Sequence, residues 1–196
     1  MNECTEQEAR KDAGPDWVEK QLRQRRTILL SGVIDDDSAE TIVSRLLALD
    51  TESPKATIDL VLNSGGGSIS SGFAIYDTIR FIKAPVRIIC TGLVASMGVA
   101  VLLSVPPERR LSMPSTRFMI HQPLIHGTMV APAADLEISA REMVRMKDAM
   151  NRLISEATGK ELAQVQKDTL RDYWMSAPEA QAYGLLSRVI TRSSEL

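Results

Sequence analysis

Aromatic residues and cysteine are scarce in this sequence, and its charges nearly cancel. Aromatic residues make up 4% of the 196 positions and hydrophobic residues 44%, so we expect a core of aliphatic side chains. The two cysteines, Cys4 in a polar segment and Cys90 in an apolar one, do not suggest a disulfide framework and are typical of a reducing cytosol. A net charge of −2 argues against a nucleic-acid-binding protein.

Long hydrophobic runs are also absent. No apolar stretch approaches the roughly 20 residues that a transmembrane helix needs. The polar segment 1–16 lacks the hydrophobic region of a signal peptide. We therefore expect a cytoplasmic protein in which residues 1–16 form a disordered leader and residues 17–196 form a single domain.

Helix and strand patterns alternate along the first half of the chain. Asp37 and Ser38 can cap a helix that ends before Ser53. We predict strands over 27–30, 58–62 and 86–91, helices over 17–26, 39–49 and about 70–82, and a loop over 63–68. Such alternation predicts an α/β fold with a largely parallel sheet.

The C-terminal third is dominated by one long helix pattern over residues 133–157, with Gly159 as the residue that ends it. Its apolar positions spread over more than one face. Such a helix is either buried in the core or covered by another subunit, and we favour another subunit. A capping box over residues 176–179 and a terminating Gly184 predict a second, shorter helix.

Ser96 occupies the turn between an apolar strand and a hydrophobic helix, in the segment Gly-Leu-Val-Ala-Ser-Met-Gly (92–98). A serine at such a turn is usually only a helix N-cap. The unpaired amides and the positive dipole end of the helix beside it nevertheless suit a developing oxyanion. A nucleophile on a sharp strand-to-helix turn is typical of hydrolases.

The polar pair His121 and Gln122 follows the apolar strand 118–120 and includes a base that could activate such a nucleophile. A lone histidine is more often a core residue with satisfied hydrogen bonds. A catalytic base of this kind also needs a carboxylate to fix the imidazole tautomer. Asp172, which lies among apolar residues, is a candidate, but the residues alone do not decide this choice. The spacing between His121 and His126 matches no known metal site, and we expect His126 to be exposed to solvent.

Three consecutive glycines at 65–67 follow the predicted strand 58–62. They do not form a phosphate-binding P-loop, because no Gly-Lys-Ser/Thr follows, and a dinucleotide fingerprint would need another glycine. Glycine lets a backbone amide approach a ligand without a Cβ in the way. Opposite the serine turn, we expect the amides of Gly67 and Met97 to form an oxyanion hole.

Five motifs together resemble the proteolytic subunit of the Clp proteases, the ClpP family. They occur in family-like order and spacing: Phe-Ala-Ile-Tyr-Asp-Thr-Ile (73–79), Ala-Ser-Met-Gly (95–98), Met-Ile-His-Gln-Pro (119–123), Arg-Asp-Tyr-Trp-Met (171–175) and the segment 180–184. The resemblance implies that Ser96 is the nucleophile, His121 the general base and Asp172 the acid that orients it. It implies the same two oxyanion-hole donors, Gly67 and Met97.

The resemblance also implies an architecture and a set of partners. The expected fold is ClpP-like or crotonase-like, with a largely parallel sheet, flanking helices and a protruding handle helix over 133–157. That helix would join two heptameric rings into a tetradecamer. An AAA+ unfoldase such as ClpX or ClpA is expected to thread unfolded polypeptides into the chamber for hydrolysis. The unfoldase uses the ATP, so we expect no cofactor and no metal in this subunit.

Several positions depart from the family pattern, as in a divergent paralogue. Gly65 replaces a proline, and the segment 124–132 is longer than usual. Val61 stands where the ATPase-docking pocket usually has an aromatic residue, and the segment before Arg26 differs from the usual axial loop. Leu170 replaces an acidic residue that pairs with an arginine across the ring junction, so we expect single rings or weakly joined double rings.

Two other functions are compatible with the sequence. The chain could be a regulatory or weakly active ring subunit that needs a second ClpP paralogue, or an acyl-CoA enzyme on the related crotonase fold. The complete set of Ser96, His121 and Asp172 favours an active serine endopeptidase, since crotonase chemistry typically uses carboxylates rather than a serine nucleophile.

Overall fold

Helices and strands alternate in the computed structural model, which describes residues 15–124 and 130–196. The helices are α1 (Pro15–Gln24), α2 (Asp36–Glu52), α3 (Ile69–Phe81), α4 (Met97–Leu102), α5 (Ala133–Thr158), α6 (Leu162–Asp168) and α7 (Ala177–Tyr183). The strands are β1 (Thr27–Ile34), β2 (Ile58–Gly67), β3 (Val86–Ala95), β4 (Arg110–Ser112), β5 (Arg117–Ile120), β6 (Tyr173–Ser176) and β7 (Arg188–Val189). The predicted α/β class is confirmed.

The strands form one sheet in the order β1-β2-β3-β4-β7, and each neighbouring pair in this order is parallel. The sheet branches at β3, because residues 88–90 of this strand pair with β4 and residues 93–95 pair with β5. Gly92 lies between these two halves at φ +61°, and a Cβ there would lie 2.6 Å from Oδ1 of Asn63. Strand β6 completes the sheet by pairing antiparallel with β5.

Strands β2 and β3 are longer than the sequence predicts. Residues 63–67, predicted as part of a loop, continue β2 as far as the pairing of Gly67 with Ile34 in β1. The predicted end of β3 at Thr91 is also wrong, since the strand runs to Ala95. Neighbouring strands supply hydrogen-bond partners to these segments, and this tertiary contribution is absent from the local sequence pattern.

Helix α2 begins earlier than predicted because Asp35, rather than Asp37, is its N-cap. The Ser38 N–H donates to the Asp35 carboxylate at 2.9 Å, and the Asp35 N–H donates to Ser38 Oγ at 2.9 Å. The hydrogen bond from the Ser38 N–H holds the pKa of the Asp35 carboxyl below its usual value. The helix stops at the predicted place, before Ser53.

Helix α1 corresponds to the basic helix predicted over 17–26, but it runs over Pro15–Gln24 and so includes the last two residues of the predicted leader. Residues 1–14, most of the predicted leader, lie outside the described residues, and so does His126. The division into a leader and a single domain therefore stays a prediction, as does the exposure of His126.

The core lies between the sheet and helices α2, α3 and α4 and is mostly aliphatic. All six residues of α4 are buried, which explains the apolar run after Ser96. Phe118 in β5 is 0% exposed and is the largest of the fully buried side chains named for the described residues. Cys90 is also fully buried, and burial raises the pKa of its thiol.

Helix α5 projects from the rest of the chain. Its buried residues are Met150, Asn151 and Ile154, whereas Ile138 and Val144 are 62% and 57% exposed. The alternative of a helix buried in its own core is therefore wrong for its first half, and contact with another subunit stays a prediction. Within residues 15–124 and 130–196, neither α5 nor any other helix is long and apolar enough to cross a membrane.

The ends of α5 and α7 follow the predicted signals. Gly159 ends α5 at φ +72° and Gly184 ends α7 at φ +99°, both in the left-handed region that favours glycine. At the start of α7, the Ser176 N–H donates to the Glu179 carboxylate at 2.7 Å, as the capping box predicts.

A buried arginine attaches the end of α5 to the segment that follows α4. Arg110 in β4 is 4% exposed. Its Nε donates to the Val105 carbonyl at 2.7 Å and its Nη1 to the Ala157 carbonyl at 2.9 Å. Burial lowers the pKa of the Arg110 guanidinium.

Substitution of this arginine tests its anchoring role. We expect Arg110→Met to lower the free energy of unfolding by about 2–3 kcal/mol, because charge-assisted hydrogen bonds are lost and two carbonyls are left unpaired. Arg109→Met, at the partly exposed neighbouring position, should change it by less than about 0.5 kcal/mol. Urea denaturation followed by circular dichroism measures both values, and equal effects would contradict the role of Arg110.

Candidate active site

Strand pairing places Ser96 and His121 side by side. Strands β3 and β5 are parallel, with Ala95 paired to Met119, so both strands end at the same edge of the sheet. The Ser96 N–H donates to the Met119 carbonyl at 2.9 Å and extends this pairing by one residue. His121 follows Ile120, the last residue of β5. The two side chains therefore start from adjacent strand ends.

Ser96 has an unusual backbone conformation, with φ 52° and ψ −122°. A residue other than glycine in such a region costs on the order of 1–3 kcal/mol and persists only where its surroundings enforce it. The hydrogen bond to Met119 on one side and the fully buried helix α4 on the other supply that constraint. Ser96 makes no side-chain cap hydrogen bond to α4, so the N-cap interpretation of this serine is not what the geometry shows.

The hydroxyl of Ser96 instead contacts His121. The Ser96 Oγ lies 2.8 Å from His121 Nε2, and His121 Nδ1 lies 3.2 Å from Asp172 Oδ1. The His121 side chain is 15% exposed and the Asp172 side chain 59% exposed. The structure thus brings together the three residues that the sequence predicts, in the order serine, histidine, carboxylate.

The antiparallel pairing of β6 with β5 explains the position of Asp172. Ile120 pairs with Tyr173, so Asp172, just before β6, lies opposite His121, just after β5. The adjoining segment is held by Gln122, whose N–H donates to the Thr169 carbonyl at 2.7 Å and whose Nε2 donates to the Leu170 carbonyl at 3.1 Å.

The predicted oxyanion-hole residues lie at the same edge of the sheet. Met97 is the first residue of α4, and first-turn amides of a helix have no partner within the helix. Gly67 ends β2 at φ +152°, packed so closely against β1 that a Cβ would lie 2.1 Å from the Ile34 carbonyl oxygen. The Ser68 N–H donates to that oxygen at 2.7 Å.

Sequence reasoning missed a close neighbour of the serine turn, Gly66. A Cβ on Gly66 would lie 2.8 Å from Ser96 Cβ and 2.9 Å from the Met97 nitrogen. The run of three glycines was the available signal for this close approach. Sequence reasoning also missed Thr169, for which the pattern gave no signal.

No metal cluster accompanies this site. Within residues 15–124 and 130–196, no group of three or more histidine, cysteine, aspartate or glutamate side chains is placed to hold a metal ion. The arrangement itself is suited to nucleophilic attack by a serine with a histidine as general base.

Two neighbouring glycines offer a matched test of the serine turn. Gly66→Ala places a methyl group against Ser96 and requires alanine at φ +94°, so we expect kcat/KM on a fluorogenic peptide to fall by about 100-fold, as for a displaced catalytic group. At Gly65 the nearest atom to a Cβ would be Leu93 Cδ2 at an ordinary 3.7 Å. Gly65→Ala should therefore stay within about threefold of the unsubstituted protein. Comparable losses for both variants would contradict the close packing of Gly66 on Ser96.

Comparison with known proteins identifies the family of this fold and site. The Clp protease family profile matches residues 11–193. The chain is 44% identical over 181 residues to the ATP-dependent Clp protease proteolytic subunits 3 of Synechococcus sp. strains CC9605 and CC9902, covering 91% of this chain and 90% of each relative. It superposes on a point mutant of ClpP1 from Listeria monocytogenes with a TM-score of 0.82 at 40% identity, covering 90% of this chain and 98% of that one. The chain belongs to the Clp protease family.

Proposed function

We propose that this chain is the proteolytic subunit of an ATP-dependent Clp protease, a serine-type endopeptidase that hydrolyses peptide bonds of unfolded proteins. The observation that carries the proposal is the contact series from Ser96 Oγ through His121 to Asp172. The names of the relatives, ATP-dependent Clp protease proteolytic subunits, support the same function.

The geometry supports a two-step acyl transfer. Ser96 Oγ attacks the scissile carbonyl carbon while His121 Nε2 takes the hydroxyl proton, and the same nitrogen then protonates the departing amine as the C–N bond breaks. Water attacks the resulting ester, gives a proton to His121 and releases the acid, and Ser96 recovers its hydroxyl proton. Asp172 accepts a hydrogen bond from Nδ1–H, which keeps Nε2 free to act as the base.

The amides of Met97 and Gly67 are the proposed donors to the oxyanion. Met97 N–H is a first-turn amide of α4, and Gly67 is the last residue of β2 at the same edge of the sheet. Both amides belong to the ends of regular elements and are in place before negative charge develops on the substrate oxygen.

The proposed assembly is a pair of stacked heptameric rings fed by an AAA+ unfoldase such as ClpX or ClpA. The apolar side chains of Leu136, Ile138 and Val144 on the projecting half of α5 are 40%, 62% and 57% exposed in the single chain and would be covered by the opposite ring. A cavity of about 320 Å³ that includes Val61, Ile89 and Met113 lies on the sheet face and is the candidate docking pocket. The unfoldase consumes the ATP, so the proposed subunit itself has no cofactor, and its cysteine content favours the cytoplasm.

A second candidate is a regulatory or weakly active ring subunit that needs another ClpP paralogue. Leu170, where the family has an acidic residue, is 50% exposed in the catalytic loop, residues 169–172 between α6 and β6, and supports this alternative. The complete Ser96, His121 and Asp172 set favours the active subunit over it, and the same set argues against the acyl-CoA alternative.

Removal of the nucleophile tests the proposed chemistry. Ser96→Ala should abolish cleavage of a fluorogenic peptide, because the triad acts as a unit, while leaving ring assembly unchanged. Size-exclusion chromatography with light scattering checks assembly on the same sample. A variant that assembles and still cleaves would remove Ser96 as the nucleophile.

The ring junction provides an independent prediction. Since Leu170 cannot form an ion pair, we expect the protein to populate single rings or weakly joined double rings. Leu170→Glu should increase the double-ring fraction at low salt, and added salt should reverse this gain because exposed ion pairs are screened. Light scattering at two salt concentrations measures both species. A double ring that salt does not affect, with or without the substitution, would contradict the prediction.

A further inference from the structure

Two polar side chains lie buried together between the projecting helix and the catalytic loop. Asn151 in α5 is 1% exposed, and Thr169, which follows α6, is 0% exposed. Thr169 Oγ1 and Asn151 Oδ1 are 2.8 Å apart and form a buried hydrogen bond. The other buried residues of α5, Met150 and Ile154, are apolar. Asn151 therefore provides α5 with a buried polar contact to the catalytic loop.

The amide of Asn151 is only half satisfied. Its Nδ2 has no hydrogen-bond partner among the described residues. If the amide were rotated by half a turn, Nδ2 would donate to Thr169 Oγ1, and the hydroxyl would donate to the Val165 carbonyl 3.0 Å away. Both orientations keep one hydrogen bond between Asn151 and Thr169.

A half-satisfied buried amide destabilises a core relative to an apolar side chain of similar volume. A leucine at position 151 would fill the space without leaving a polar atom unpaired. A contribution to stability therefore does not account for an asparagine at this buried position. Its hydrogen bond to Thr169 is better explained by the segment that this bond holds in place.

Thr169 holds the catalytic loop. Its carbonyl accepts the hydrogen bond from the N–H of Gln122 at 2.7 Å, and Gln122 is the residue directly after His121. Asp172 lies three residues after Thr169 in the same segment. Thr169 is thus connected to both partners of the contact between His121 and Asp172.

That contact is sensitive to small displacements. The distance between His121 Nδ1 and Asp172 Oδ1 is 3.2 Å, at the long end of the hydrogen-bond range, and the Asp172 side chain is 59% exposed. Movement of the segment by a few tenths of an ångström would lengthen the contact beyond that range. The position of the segment 169–172 therefore decides whether the carboxylate can orient the imidazole.

We propose that Asn151 is a positioning residue which, by its hydrogen bond to Thr169, fixes the segment 169–172 against His121. The C-terminal half of helix α5 thereby fixes the distance between His121 and Asp172. Asn151 touches neither the substrate nor the reacting atoms and acts only through Thr169. This inference rests on the proposed function of the serine, histidine and aspartate set.

Four single variants of the assembled, full-length protein, and the double variant Asn151→Leu/Thr169→Val, test this role. Asn151→Leu and Thr169→Val each remove the hydrogen bond, Thr169→Ser keeps the hydroxyl, and Ile154→Val changes a buried neighbour on α5 that makes no side-chain hydrogen bond. For each variant we would measure kcat and KM on a fluorogenic peptide, the rate of labelling by a fluorophosphonate, the melting temperature and the assembly state.

We expect Asn151→Leu and Thr169→Val to lower kcat and the labelling rate by about 10- to 100-fold, with KM within about twofold, because misorientation of the imidazole affects the chemical step. The melting temperature of Asn151→Leu should stay the same or rise. Thr169→Ser should restore kcat to within about threefold, and Ile154→Val should leave it unchanged. The double variant Asn151→Leu/Thr169→Val should be no slower than the slower single variant, since both remove the same bond.

Either of two results would overturn the inference. One is wild-type kcat and labelling in Asn151→Leu and Thr169→Val. The other is a loss of kcat that runs parallel to a fall in melting temperature or in assembly, since the bond would then be structural. Failure of the proposed function would give a different result from failure of this inference. In that case the unsubstituted protein itself would neither cleave the peptide nor react with the fluorophosphonate.

Discussion

The parallel pairing of β3 with β5 is the constraint on which the site depends. It ends with the hydrogen bond from the Ser96 N–H to the Met119 carbonyl. This bond holds Ser96 at a positive φ and brings the end of β3 to the end of β5. Because β5 also pairs antiparallel with β6, the same strand places His121 between the serine and Asp172. One short strand of four residues thus sets both contacts of the histidine.

The remainder of the fold stabilises this arrangement. The glycine-rich end of β2 permits close packing against the serine turn, since a Cβ on Gly66 would collide with Ser96. The buried helix α4 anchors the other side of the turn. Helix α5 is attached to this core through Arg110 and through Asn151, while Leu136, Ile138 and Val144 in its first half are exposed in the single chain. The surface proposed for assembly and the catalytic loop are therefore joined by the same helix.

Local sequence signals were sufficient for the class of fold and for most helix ends. Alternating patterns predicted the α/β sheet, and Gly159, Gly184 and the capping box at Ser176 marked helix boundaries correctly. The glycine-rich segment 63–67 locally predicts a loop, whereas its pairing with β1 places it in a strand. That pairing is tertiary and leaves no local signal.

The candidate site was predictable to a similar extent. Ser96 and His121 stand out as polar residues at the ends of apolar strands. Asp172 could not be chosen from the residues alone, because the antiparallel pairing that brings it to His121 is not visible in the sequence; the family resemblance supplied it. Gly66 and Thr169 act through close packing and buried hydrogen bonds, so only the three-dimensional arrangement reveals them.

The pairing of β3 with β5 places His121 beside Ser96, and His121 activates the Ser96 hydroxyl as a nucleophile. Reaction of the purified, folded protein with a fluorophosphonate, followed by mass mapping of the modified residue, tests this most directly. We expect one adduct, on Ser96, which forms at a rate that His121→Ala greatly reduces. A folded protein that remains unmodified, or an adduct on a different serine, would contradict the account.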